Sequence, residues 1–229
     1  MEIKENTVYN CDCLQLMKEM EKQGIVVDWL ITDPPYGTKC GSINRKNYTK
    51  WNGNGVATRR DYDLKEWDNE RISKEYFDLM FKVSKNQIIF GGNYYTDILP
   101  PTKSWIIWDK RCDNNLRNDF ADCELAWCST GQARVFRYLY NGMIQGDMKN
   151  KDDRFHPTQK PTQLMSQLLN YYTKEGDLIL DPFMGSFTTA ISCHKLNRRY
   201  IGAELDKEYF EKGTERLKKL KTQISIFDL

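Results

Sequence analysis

The stretch Val26-Val27-Asp28-Trp29-Leu30-Ile31-Thr32-Asp33-Pro34-Pro35-Tyr36 gives the strongest indication of the fold. A largely apolar run of strand length ends in an acid, two prolines and an aromatic residue. Such a run is typical of a buried parallel strand, and open α/β sheets bind their ligands beyond the carboxyl ends of these strands. The two prolines fix φ at consecutive positions and remove two N–H donors. We therefore predict a rigid turn at a ligand-binding edge.

This turn suits a ligand that has two hydrogens to donate. The Asp33 side chain and the Pro34 carbonyl are both acceptors and can point at one spot. An amino group that donates both hydrogens moves toward tetrahedral geometry, and its nitrogen becomes nucleophilic. Tyr36 offers a flat face on which an extruded base can stack, worth about 1–3 kcal/mol. Because four residues also fit an ordinary rigid turn, the context decides.

Two later motifs supply that context. Asp181-Pro182-Phe183-Met184-Gly185-Ser186-Phe187-Thr188-Thr189 follows the apolar run 178–180 and precedes a helical pattern. A strand, a glycine turn and a helix N-terminus form a cradle for a small ligand, and the hydroxyls of this motif can cap the helix or reach the ligand. Glu204 ends the next apolar run, where an acid can hold ribose hydroxyls. Taken alone, Glu204 is more typical of an exposed acid at a strand end.

Together these motifs resemble the amino-group DNA methyltransferases of the permuted class, in which D-P-P-Y precedes the cofactor motif. That motif reads D-P-F-x-G-S-G-T-T in the family and follows H-P-T-x-K-P, which is His156-Pro157-Thr158-Gln159-Lys160-Pro161 here. Segments 10–14, 91–95 and 105–110 are also similar to phage and restriction-type members. Phe187 departs from the family because it replaces the second glycine. A bulky side chain there could narrow the pocket or redirect the turn, as in an inactive relative.

The resemblance implies direct transfer of a methyl group from S-adenosylmethionine to the N6 amino group of adenine in DNA, with the base flipped out of the duplex. Asp12 would lie near the cofactor adenine, Glu204 on its ribose, and segment 156–161 over its methionine end. For His156, ordering of a turn is an equal interpretation. The implied catalytic residues are Asp33, Pro34, Pro35 and Tyr36. The implied cofactor-binding residues are Asp12, Lys160, Asp181, Phe183, Gly185, Ser186, Thr188 and Glu204.

Apolar runs that alternate with helical patterns predict an α/β protein. With the resemblance, we expect a single Rossmann-like methyltransferase domain over residues 1–229, its motifs circularly permuted and its seven-stranded, mostly parallel sheet covered by helices on both faces. The predicted strands are 7–10, 26–32, 87–90, 104–108, 124–128, 178–180 and 200–203, with a further one at 134–139. Apolar residues three or four apart predict helices around 14–20, 76–81, 164–171 and 209–220.

The distribution of charge indicates where DNA would bind. The net charge is only +2, yet residues 39–60 hold six basic residues and no acid, which suits a mobile, phosphate-binding loop over 37–64. A solvated loop is the alternative. Segment 109–155 is the expected target-recognition insert, where arginines can read guanine edges. Its shortness points to a small target site or a homodimer. The predicted DNA-binding residues are Lys39, Arg45, Lys46, Lys50, Arg59, Arg60, Arg111 and Arg117, with Arg134 and Arg137 as further candidates.

Several features bear on metals, location and partners. Seven cysteines without a C-x-x-C pair, and two histidines, do not match a zinc site, so we expect no metal and reduced thiols. No apolar run is long enough for a membrane span and no secretory signal is evident, which favours the cytoplasm. Segment 223–229 resembles the peptide with which bacterial replication and repair proteins bind the sliding clamp, although a tail that packs on its own domain is favoured.

Three other functions are compatible with parts of this pattern. A cytosine-N4 methyltransferase uses the same fold and the same grip on an amino group, but an acid rather than a serine before Pro34-Pro35 favours adenine. A protein-glutamine methyltransferase has its cofactor motif first, which is the opposite order. A catalytically inactive DNA-binding regulator would keep the fold without binding S-adenosylmethionine.

Overall fold

The computed structural model describes residues 1–38, 68–112, 121–141 and 144–227, with the side chains of the last helix described to Thr222. Its centre is one sheet of eight strands. These strands are β1 (Thr7–Tyr9), β2 (Val27–Thr32), β3 (Ser84–Phe90), β4 (Trp105–Asp109), β5 (Cys123–Cys128), β6 (Arg134–Arg137), β9 (Leu178–Asp181) and β10 (Arg199–Ala203). A separate hairpin consists of β7 (Tyr140–Asn141) and β8 (Ile144–Gln145).

The strand order, β1-β10-β9-β2-β3-β5-β4-β6, decides which residues meet at the functional edge. All neighbours pair in parallel except β5, which runs antiparallel to both β3 and β4. The carboxyl ends of β1, β2, β4, β9 and β10 therefore lie along one edge. The amino end of β5 lies at the same edge, because its direction is reversed.

Helices cover both faces of the sheet. They are α1 (Cys13–Lys22), α2 (Lys74–Lys82), α3 (Thr162–Tyr172), α4 (Thr188–Lys195) and α5 (Lys207–Phe227). Side chains that alternate along a strand point to opposite faces. In β2, Trp29 and Ile31 pack with apolar residues of α3, α4 and α5, whereas Leu30 packs with those of α1 and α2. Two hydrophobic layers thus hold the sheet and fix its edge.

The predicted fold class is confirmed, including the mostly parallel sheet and the helices on both faces. The sheet has eight strands rather than seven because β6 joins its edge beside β4. This strand lies inside segment 109–155, which therefore supplies β5 and β6 to the sheet as well as the β7–β8 hairpin. Of the predicted basic loop, residues 39–64 lie outside the described part of the chain.

The described helices include none that is both long and apolar enough to cross a membrane. Within the same ranges, no group of three or more His, Cys, Asp or Glu side chains is arranged to hold a metal ion. Helix α5 continues to Phe227. The backbone of segment 223–227, which resembles a clamp-binding peptide, is therefore helical.

Candidate active site

The D-P-P-Y motif and the glycine-bearing motif meet at neighbouring strand ends. Asp33 follows β2 directly, and Asp181 is the last residue of the adjacent strand β9. The Thr32 hydroxyl donates to Asp181 Oδ1 at 2.7 Å across 149 residues of sequence. Asp181 also accepts hydrogen bonds from Thr189 Oγ1 at 2.6 Å and from the Phe183 N–H at 3.1 Å. This buried carboxyl, whose pKa burial raises to about 6, joins both motifs.

The D-P-P-Y turn presents acceptors of two kinds. Asp33 Oδ1 accepts a hydrogen bond from the Tyr36 hydroxyl, and Asp33 Oδ2 accepts one from Lys160 Nζ. The Pro35 carbonyl accepts the Tyr95 hydroxyl. Among the described residues no hydrogen bond is made to the Pro34 carbonyl. The arrangement therefore keeps one backbone acceptor open beside the carboxylate.

Tyr36 is held in place on several sides. Its ring stacks on that of Tyr94, with centroids 4.8 Å apart and planes 15° apart. A Cβ at position 91 would lie 2.0 Å from the Tyr36 ring, so Gly91 is required there. The buried Asp68 accepts hydrogen bonds from the backbone N–H of Tyr36 at 2.8 Å and of Gly37 at 3.0 Å. Contacts within the protein thus fix the position of the Tyr36 ring.

Four alternating charges lie beside the turn. The Lys160 ammonium contacts the Asp33 carboxylate and lies 3.2 Å from Glu124 Oε2, while Lys110 pairs with Glu124 Oε1. Burial opposes the charge on Lys160, but the two carboxylates outweigh it and raise the pKa of Lys160. Burial likewise opposes ionisation of Glu124, but the two lysines prevail and lower its pKa. For Asp33, burial prevails and raises the pKa.

Glu204 lies on the other side of the Gly185 turn. Its Oε2 accepts the Gly185 N–H at 2.7 Å, and its Oε1 accepts the Asp206 N–H at 2.8 Å. Burial raises the pKa of this carboxyl to about 7. Asp12 caps α1 by accepting the Leu14 N–H at 2.7 Å. The Phe183 ring faces that of Tyr76 at 6.3 Å.

Ser186 and Thr188 are buried and bind protein groups. Their hydroxyls lie 3.0 Å apart, and Thr188 Oγ1 donates to the Lys160 carbonyl at 3.1 Å. Arg216 of α5 donates to the Ser186 carbonyl at 2.9 Å and also pairs with Asp152 at 3.0 Å. These contacts connect the glycine turn to the segment that carries Lys160.

Phe187 does not narrow the site. It adopts φ 63°, the left-handed conformation that suits a glycine at this position. Its ring is 1 % exposed and packs edge-on against Phe210 of α5, with centroids 5.9 Å apart. A Cβ at position 213 would lie 2.3 Å from this ring, so Gly213 provides the space for it. The turn thus keeps its path, and the extra bulk lies in the core.

The predicted DNA-binding residues are mostly beyond the described ranges: Lys39, Arg45, Lys46, Lys50, Arg59, Arg60 and Arg117 all lie outside them. Arg111 is described and pairs with Asp122 at 3.0 Å. Arg134 donates to the Tyr171 hydroxyl at 2.6 Å, and Arg137 lies 3.4 Å from Asp109. Neither Arg134 nor Arg137 contacts the D-P-P-Y turn.

Sequence reasoning missed four residues that the fold brings to this region: Asp68, Lys110, Glu124 and Arg216. Glu124 lies opposite Trp108 in the β4–β5 register, at the amino end of the antiparallel strand. The available sequence signal for Glu124 was an acid at the start of an apolar run. That signal indicates a site residue only when β5 is known to run antiparallel, because its amino end then lies at the functional edge.

Comparison with known proteins supports the same family as the sequence motifs, the DNA methyltransferases. A family model described as DNA methylase matches residues 100–215, just over half of the chain. The type II methyltransferase M.HpaI of Haemophilus parainfluenzae is 47% identical over 244 residues, covering 90% of this chain and 72% of that protein. M.HinfI of Haemophilus influenzae, also named a type II methyltransferase, is 26% identical over 98% of this chain and 71% of its own length.

Solved structures are similar over nearly the whole chain. The M1.HpyAVI complex with S-adenosylmethionine has a TM-score of 0.58 and 25% identity, covering 92% of this chain and 98% of that one. The cytosine-N4-specific PvuII DNA methyltransferase has a TM-score of 0.56 at 14% identity, over 95% and 92% of the two chains, which supports the fold alone. The motif order, the sheet and these relatives agree: the chain belongs to the DNA methylase family of N6 and N4 methyltransferases.

Proposed function

We propose that this chain is a type II DNA methyltransferase that transfers the methyl group of S-adenosylmethionine to the N6 amino group of adenine. The observation that carries the proposal is the meeting of two groups at adjacent strand ends: the Asp33 carboxylate with the open Pro34 carbonyl, and the Gly185 turn with Glu204. The first pair accepts hydrogens from an amino group. The second suits a nucleoside.

The residues of this edge fit S-adenosylmethionine. Glu204 is a partly buried carboxylate beside a glycine turn, and such an acid is the usual partner of ribose hydroxyls at these strand ends. The Phe183 ring offers an apolar face for an adenine, and Asp12 lies at the start of α1, just after β1. When bound, S-adenosylmethionine supplies an electrophilic methyl group on its sulfonium.

The chain's own residues would act mainly by positioning. Asp33 and the Pro34 carbonyl accept the two hydrogens of the target amino group, which exposes the nitrogen lone pair. Tyr36, braced by Tyr94, stacks against the extruded base, and flipping the base costs a few kcal/mol. None of the described cysteines needs to act as a nucleophile. Preset acceptors and alignment lower the barrier.

Adenine is favoured over cytosine because an acid precedes the two prolines. Both M.HpaI and M.HinfI, which match most of this chain, are named type II methyltransferases. A restriction endonuclease with the same target site is therefore the proposed biological context. The N4-specific relative shares the fold at low identity and gives no reason to prefer cytosine.

One experiment separates these possibilities. The chain is expressed in a host whose DNA lacks its modification, and the DNA is sequenced as single molecules. N6-methyladenine at one recurring sequence is the expected product. Asp33→Ala should abolish it while calorimetry with S-adenosylmethionine stays unchanged. Asp78→Ala, on the exposed face of α2, is the matched control. Methylated cytosine would indicate the N4 enzyme, and no S-adenosylmethionine binding would indicate an inactive regulator.

The finer partner assignments belong to the same proposal. The basic residues of 39–60, with Arg111 and Arg117, would bind double-stranded DNA, and the enzyme would act in the cytoplasm. In a homodimer, two copies of the chain would share the recognition of the target site, because segment 109–155 is short. Sedimentation in the presence of DNA would test for this dimer. A sliding-clamp contact through Gln223–Phe227 is tested by a pull-down with and without the last seven residues.

A further inference from the structure

Each oxygen of the Asp33 carboxylate accepts a hydrogen bond from another side chain of the protein. Its Oδ1 accepts the Tyr36 hydroxyl and its Oδ2 accepts the Lys160 ammonium. The Lys160 side chain is only 8% exposed, and its ammonium lies over the Phe90 ring, 5.1 Å from the ring centroid. A nitrogen that donates to Asp33 is also what the proposed function requires of the target base. Lys160 therefore makes one of the two contacts that the amino group would make, the one to Asp33.

An amino group that donates to Asp33 competes with Lys160 for the charge of one carboxylate. Moving the buried lysine charge away from Asp33 requires another partner. Methyl transfer through Asp33 thus needs a second acceptor for the ammonium, close enough to be reached without unfolding segment 156–161.

Glu124 is placed to be that acceptor. Its Oε2 lies 3.2 Å from Lys160 Nζ yet makes no hydrogen bond, although it is buried. Its Oε1 is already bound by Lys110, which fixes the carboxylate from the opposite side. A small rotation of the Lys160 side chain would exchange Asp33 for the open Oε2. The Lys160 carbonyl, bound by Thr188, need not move.

We propose that Lys160 competes with the target amino group for Asp33, and that Glu124 is the positioning residue that receives the Lys160 ammonium when a base enters. This inference rests on the proposed function. It adds that the competitor comes from the enzyme's own chain, and that Lys110 and Glu124 set how readily Lys160 leaves Asp33.

The test uses the full chain, with unmodified plasmid DNA as substrate and S-adenosylmethionine carrying a labelled methyl group. In Glu124→Gln, Asp33 is the remaining carboxylate in contact with Lys160 among the described residues. Lys160 should leave Asp33 less readily, and kcat should fall about tenfold. The affinity for S-adenosylmethionine, measured by calorimetry without DNA, should not change. Glu215→Gln, which removes one acid from an exposed pair on α5, is the control.

The decisive variants remove the Lys160 ammonium itself. Lys160→Met should lower KM for DNA, because the fraction of enzyme able to accept a base rises. Lys160→Met combined with Glu124→Gln should be several-fold faster than Glu124→Gln alone. Equal or slower turnover of the double variant would overturn the inference, as would a raised KM in Lys160→Met. Wild-type enzyme that methylates no adenine would instead overturn the proposed function, so the two failures are distinguishable.

Discussion

Glu204 illustrates how a single, partly buried carboxyl can link pH to cofactor binding. Burial raises its pKa to about 7, and only its ionised form offers both oxygens to ribose hydroxyls. Below that pKa the Glu204 carboxyl is mostly protonated, and it must lose its proton before the proposed cofactor can bind. We expect affinity for S-adenosylmethionine to be about tenfold weaker at pH 6 than at pH 8.

Calorimetry at the two pH values measures this effect. Glu204→Gln is the control, because it should bind weakly with much less dependence on pH, and its profile also reveals any titration of the cofactor itself. A flat wild-type profile would show that Glu204 is ionised throughout or does not contact the cofactor.

The Phe187–Gly213 contact reverses an ordinary rule for helices. Alanine in place of glycine usually stabilises a helix by about 1 kcal/mol. At position 213 the added Cβ would lie 2.3 Å from the Phe187 ring. We therefore expect Gly213→Ala to lower the free energy of unfolding by about 1–3 kcal/mol, as overpacked cores do.

Chemical denaturation of a double-mutant cycle checks the cause. In a Phe187→Ala background the ring is gone, so Gly213→Ala should become neutral or stabilising. The same loss of stability in both backgrounds would mean that the glycine serves something other than the ring.

Asp68 holds the residues that follow the D-P-P-Y turn, although it lies about thirty residues further along the chain. Asp68 accepts hydrogen bonds from the backbone N–H of Tyr36 and Gly37 and, at 2.6 Å, from the Thr38 hydroxyl. Asp68→Asn removes the charge from all three, and hydrogen bonds to charged groups contribute about 1.5–3 kcal/mol each. Tyr36 should lose its fixed orientation, so kcat should fall while the Kd for S-adenosylmethionine stays constant.

Steady-state kinetics with DNA and calorimetry without it separate the two effects. Asp78→Asn, which alters an exposed acid of α2, should leave both values near those of the wild type. An equal loss of cofactor affinity in Asp68→Asn would indicate that the whole strand edge has moved.

The elements differ in how far the sequence predicts them. The parallel strands β2 and β9 are recognisable because their apolar runs end in motifs, and parallel strands bring those ends to one edge. The direction of β5 depends on its pairing with β3 and β4, which local sequence does not specify, so Glu124 could not be placed at the site. The partner of Phe187 was equally hidden, because Gly213 lies in the next helix.

For the molecule as a whole, charge distribution predicts the salt dependence of DNA binding. If four of the six cations in 39–60 touch phosphates, log K should fall with log[salt] at a slope of about −3.6. Titrations with an unmodified duplex at several salt concentrations measure it. Replacing Arg59 and Arg60 with alanine should reduce the slope by up to about 1.8. A slope near zero would assign phosphate binding to another surface.

The pairing of β2 with β9 also affects how the chain is made. Leu30 of β2 lies beside Leu180, so one side of β2 has no neighbour until the later strand has left the ribosome. At about 5–20 residues per second, translation of the intervening chain takes roughly 7–30 seconds. An apolar strand with an open side is a site for wrong pairing during that time. Slower synthesis, or a nascent chain stalled before β9, should therefore increase the need for chaperones.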